Sequence, residues 1–126
     1  MKYILIVVGG GAGALLRYFS TFLANSLFNG KFMLGTIVVN CTGALLIGLL
    51  MSVFEIFSVN VKWKLLIITG FLGGYTTFSA YSYETANYFM NGNIKYAVAN
   101  IVLSNVLCIL FVFLGMWLSK LMFAKF

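Results

Sequence analysis

The sequence predicts an all-α membrane protein with four transmembrane helices, the third broken at mid-membrane. Three observations carry that prediction. The chain has 126 residues, of which 63% are hydrophobic and 8% charged, whereas about 25% are charged in an ordinary soluble domain. Its mean hydropathy is +1.07, so it has too few polar side chains to cover a water-facing surface of this size. Its apolar residues fall into four runs, near 3–24, 33–54, 64–90 and 96–121. Each run exceeds the roughly 20 residues that cross a hydrocarbon core of about 30 Å. A single domain over residues 1–126 is expected, located in the cell membrane.

The first run begins like a signal peptide, with Lys2 ahead of apolar residues. Gly9-Gly10-Gly11-Ala12-Gly13 and then Arg17 interrupt it, and no small-residue cleavage signal follows. We read it as a retained helix. Gly9 with Gly13, and Gly10 with Ala14, are small residues four apart, the spacing that lets helices approach closely. The second run repeats this spacing with Ala44 and Gly48. Such pairs serve either contacts within one chain or a tightly packed oligomer.

The second run also carries Thr36, Asn40 and Gly43 on one helix face. The Asn40 amide must find a partner in lipid. It either bonds a neighbouring helix or lines an ion path. The third run holds Gly73-Gly74-Tyr75-Thr76-Thr77-Phe78-Ser79-Ala80-Tyr81-Ser82. Adjacent glycines followed by threonines make a poor continuous helix. A break there frees backbone groups, tolerated at that depth only when protein or water satisfies them. Freed carbonyls carry partial negative charge and can hold a cation. Beyond the break, Phe78 and Tyr81 share a face. In the fourth run Asn100, Ser104 and Cys108 recur every four residues, with Asn105 beside them. That stripe is either a helix–helix seam or a hydrogen-bonding track.

Charge and composition exclude several classes. The net charge is +6, but the eight basic residues are scattered, so no nucleic-acid patch exists. There is no His, and Glu55 and Glu84 are the only acids. A His base is impossible, and an enzyme is not expected. Cys41 and Cys108 lie in apolar runs at no zinc or redox spacing and read as packing residues. Lys2, Lys62, Lys64, Lys120 and Lys125 fall on one side of a four-span topology, against Lys31 and Lys95 on the other. That bias places both termini in the cytoplasm. Arg17 lies inside the first span and Glu84 inside the third. The two either pair, or Arg17 snorkels to the interface and draws anions toward a vestibule.

These residues also form motifs. Gly9 through Tyr18, ending Leu16-Arg17-Tyr18, resembles the glycine-rich start of the CrcB/Fluc fluoride channel family. Gly35-Thr36-Ile37-Val38-Val39-Asn40-Cys41-Thr42-Gly43 and Thr69-Gly70-Phe71-Leu72-Gly73-Gly74-Tyr75-Thr76-Thr77-Phe78-Ser79 are similar to its two further signatures, and Glu84 sits where that family has Glu. The resemblance covers nearly the whole chain. It implies an antiparallel dimer with two narrow pores that pass fluoride out of the cell. It also implies a structural Na⁺ held by the backbone carbonyls of Gly73 and Thr76. By the same resemblance Asn40, Thr77, Phe78, Ser79, Tyr81 and Ser104 line the pore, with Arg17 at its vestibule. Tyr81 departs from the family, which has Phe there. The implied partners are fluoride, the lipid bilayer, and either a second copy or a homologous subunit of opposite orientation, since the lysine bias suits a fixed orientation. A non-conducting or partner-dependent subunit is the alternative. A small multidrug exporter would need an acid in the first span, where this chain has Arg17.

Overall fold

The computed structural model describes residues 1–27 and 32–123, Phe32 by its backbone alone. All regular structure among them is helical. Helices α1 (Lys2–Leu27) and α2 (Phe32–Ile56) form the first two spans. The third starts with α3 (Val61–Lys64), continues as a π-helical stretch (Leu65–Leu72) and closes its first half in α4 (Gly73–Tyr75). After two extended residues, α5 (Phe78–Met90) forms its second half, and α6 (Ile94–Phe123) is the fourth span. Within α1, α2 and α6, Lys2–Leu27, Met33–Ile56 and Ile94–Phe123 are each long and apolar enough to cross a membrane unbroken. Each helix reaches slightly past the apolar run that predicted it. Lys31 and Lys125, used in the charge comparison, lie outside the described residues.

The broken third span is capped where it begins and where it ends. The Asn60 side chain accepts the Lys62 N–H at 2.9 Å and opens α3. At the end of α5, the Asn93 N–H donates to Tyr88 O (2.8 Å) and the Gly92 N–H to Phe89 O (3.1 Å). This is a Schellman close, and Gly92 takes the positive φ of 74° that it requires.

Two glycine seams hold the bundle together. A Cβ at Gly9 or Gly13 in α1 would run into the backbone of Leu66 or Phe71 in the π-helical stretch. Between α2 and α6, a Cβ at Gly48 would strike the Val112 carbonyl and one at Gly115 the Leu45 carbonyl. The small-residue pairs read from the sequence therefore serve close contacts within one chain. Most other large apolar side chains, among them Phe22, Phe113 and Trp117, face outward, as lipid-facing residues do.

The break falls two residues later than the glycine pair. Gly73 and Gly74 stay helical, while Thr76 (φ −82°, ψ 156°) and Thr77 (φ −145°, ψ 114°) are extended. β-branched residues suit extended backbone. Gly74 is needed for a different reason, since a Cβ there would hit the Gly10 carbonyl.

Candidate functional site

The site is built on the break. The last regular bond of the first half is Thr76 N–H to Leu72 O, at 3.0 Å. The next residue is satisfied from another helix. Asn40 on α2 donates its Nδ2 to Thr77 O (3.0 Å) and accepts the Thr77 N–H on Oδ1 (2.8 Å). One amide side chain thus pairs both polar groups of one residue, as a strand neighbour would. Thr77 in turn caps α5, accepting the Ala80 N–H on Oγ1 at 3.2 Å. From the other side, Arg17 Nε donates to Gly74 O at 3.1 Å. The helical break is therefore held by α1 and α2 together, which meets the requirement that irregular backbone at membrane depth be satisfied by protein.

A groove of about 380 Å³ opens beside it. Its lining includes Asn40, Thr77, Phe78, Tyr81 and Ser104, together with Gly73 and Thr76. The Phe78 and Tyr81 rings lie 5.3 Å apart, tilted by 49°. Tyr81 does not present a bare hydroxyl. Asn105 Nδ2 donates to it at 3.1 Å while also donating to Ile101 O at 2.7 Å. Ser104 spends its proton on Asn100 Oδ1 (3.1 Å), and Asn100 donates to Thr85 Oγ1 (3.0 Å). Asn100 is fully buried and works as a seam between α5 and α6. Ser79 is not part of the groove lining; it is exposed, with its hydroxyl 3.2 Å from Thr77 Oγ1.

A second cavity of about 460 Å³ is lined by Arg17, Thr21, Asn25, Thr36, Thr77 and Glu84 among others. Thr77 lines both cavities. Arg17 and Glu84 thus share a chamber without pairing: the guanidinium binds the break, and the Glu84 Oε1 accepts from Thr36. Glu84 is buried, and its Oε2 and the Asn25 Oδ1 have no hydrogen-bond partner. The chamber therefore offers one fixed cation and two unsatisfied buried acceptors.

Among the described residues no group of three or more His, Cys, Asp or Glu converges. An ion held here would rely on backbone and hydroxyl oxygens, a donor set that suits a hard cation. The Gly74 carbonyl is committed to Arg17, whereas Gly73 and Thr76 both lie on the groove wall.

Sequence reasoning overlooked Asn25, Thr85 and the bond between Thr42 Oγ1 and the Tyr75 hydroxyl (3.0 Å). Asn25, a polar residue near the end of an apolar run, carried a readable signal. Thr85 and Tyr75 carried none, because their partners lie on other helices.

A broken-helix bundle with a polar groove at the break defines a small multi-pass membrane protein built to handle an ion. The family profile of the CrcB-like protein, Camphor Resistance (CrcB), matches residues 4–116, and the chain belongs to that family. It is 45% identical over 124 residues to the fluoride-specific ion channel FluC of Hydrogenobaculum sp. strain Y04AAS1, covering 97% of this chain and all of that protein. It is 41% identical to the protein of the same name from Campylobacter fetus, covering 92% of this chain and 91% of its relative. For the one from Coxiella burnetii strain CbuK_Q154 the identity is 42%, over 95% of this chain and 98% of its relative.

Proposed function

We propose that the chain is a fluoride channel subunit that lets fluoride leave the cell passively through the plasma membrane of a bacterium. The observation that carries this reading is the Asn40 clamp on Thr77, which opens a polar groove at the break, with the Arg17 chamber meeting it at the same residue. The names of relatives aligned over nearly the full chain support it.

Fluoride is small and strongly hydrated, so a path must replace lost water with several donors. Arg17 supplies a fixed positive charge that draws anions to the chamber. One Nδ2 hydrogen of Asn40 holds Thr77 O, leaving the other for an anion. The Thr77 hydroxyl adds a second donor, shared with Ser79. The ring edges of Phe78 and Tyr81 carry the positive end of the aromatic quadrupole and face an anion favourably. Because Asn105 donates to the Tyr81 oxygen, the phenol proton is free to point into the groove. Ser104 joins only by turning its proton away from Asn100.

The working unit is an antiparallel dimer of one 126-residue domain per subunit, with two pores. Gly73 and Thr76 would hold a structural Na⁺ through their carbonyls, and a second copy would double that oxygen set. Bound there, such an ion would neutralise the carbonyl dipoles of the breaks. A partner-dependent subunit is the second reading. It rests on Lys2, Lys62, Lys64 and Lys120 lying on one side of the four-span topology against Lys95 on the other.

Fluoride efflux from liposomes holding this chain alone tests the proposal. Valinomycin and a K⁺ gradient balance charge, and chloride is the control. Fast fluoride loss without chloride loss is expected. No efflux, alone and with a homologous partner subunit, overturns the channel reading; efflux only with the partner selects the second reading. Tags found on both membrane faces would remove the fixed-orientation argument.

A further inference from the structure

We propose that Cys41 and Cys108, which face each other across α2 and α6 at the groove, form a two-coordinate site for a soft divalent cation of the mercuric type. Their sulfurs lie 3.9 Å apart. Cys41 is 6% exposed, while Cys108 is half-buried and lines the groove. One thiol is thus reachable and the other lies directly behind it.

Geometry favours a bridging ion over a disulfide. A disulfide needs the sulfurs at about 2.0 Å, an approach of nearly half the present gap. Two metal–sulfur bonds of about 2.3 Å in a line span about 4.6 Å, a smaller adjustment in the opposite direction. Among the described residues no third acidic, His or Cys ligand converges on the pair, which disfavours four-coordinate zinc. Soft thiolates select soft metals, and a two-coordinate ion needs no further ligand.

Charge balance points the same way. Two thiols and one divalent ion give a neutral bis-thiolate and release two protons, with no oxidant or reductant. A neutral product suits the surrounding wall of Ala44, Ile109 and Val112, where a net charge would be costly. The thiol pair would bind the ion whether or not the chain conducts fluoride.

Mercuric chloride titrated into the purified full chain tests the site. The expected result is saturation at one ion per chain, with two protons released per ion and the ultraviolet absorption of a mercury thiolate. Held by two thiols, the ion should withstand at least about tenfold more glutathione than in Cys41→Ser or Cys108→Ser, because the second thiol is at high effective concentration. One proton per ion in the unaltered chain, or equal stripping from all three proteins, overturns the proposal. Should the serine variants fail to fold, the proton count on the unaltered chain decides alone.

Discussion

The α2–α6 pair and the broken third span solve opposite problems with different residues. Along α2 and α6 the backbone is continuous, and at Gly48 and Gly115 backbone packs directly on backbone. That seam satisfies its own hydrogen bonds and needs only shape. The third span loses its helical bonds after Thr76, and borrows replacements from Asn40 at Thr77 and from Arg17 at Gly74. Its integrity depends on single polar side chains from other helices. Shape is tolerant of many apolar sequences, whereas a borrowed hydrogen bond depends on one residue type. The break is thus where chemistry and fragility coincide.

Removing the clamp should have the largest effect. Asn40→Ala leaves the N–H and carbonyl of Thr77 unpaired at membrane depth, at about 1–3 kcal/mol for each group. Thermal unfolding in detergent should begin well below that of the unaltered chain, and liposome fluoride efflux should fall at least about tenfold, the equivalent of about 1.4 kcal/mol. Normal efflux from this variant would break the contrast, because the break would then be holding itself.

Next come the seams. Gly13→Ala drives a methyl into the Phe71 carbonyl, and overpacking of this kind costs about 1–3 kcal/mol. Gly11→Ala meets nothing within 4 Å and should leave stability unchanged or raise it by up to about 1 kcal/mol, because alanine favours helix. Melting curves of the two variants separate a glycine needed for contact from one that is not.

A loss of similar size is expected for Thr36→Val, which takes from the buried Glu84 its hydrogen bond on Oε1. Leaving that acceptor unmatched costs about 1–3 kcal/mol, read by the same melts. Restoring the hydroxyl with Thr36→Ser should recover most of it.

Tyr81→Phe should change least. It removes one hydroxyl whose partner, Asn105, keeps its second bond to Ile101 O, a net change of about 0.5–1.5 kcal/mol. Fluoride efflux should persist, with chloride still excluded. Loss of efflux would show that the phenol proton is an indispensable donor in this chain.

Much of this was legible in the sequence. The four runs, the polar face of α2 and a break near Gly73–Thr77 all follow from local composition, because lipid imposes a length and a polarity on any segment that crosses it. The position of the break within that stretch was not legible. Gly73 and Gly74 looked like its cause, yet they stay helical so that Gly10 can approach Gly74. Charge alone left Arg17 and Glu84 open to pairing, or Arg17 to reaching the interface. Each instead takes another partner, since helix rotation sets which groups come within reach. Cys41 and Cys108 looked like unrelated packing residues 67 positions apart, and the structure brings their sulfurs to 3.9 Å.

The sequence by itself determined that this chain crosses a membrane four times and interrupts its third crossing. Those properties arise from each segment's own contact with lipid. Only the tertiary structure decided that Asn40 takes both polar groups of Thr77, that Arg17 holds Gly74 rather than Glu84, and that Thr77 joins two cavities. These depend on the depth and rotation of one helix against another, which are set by where glycines let backbones meet.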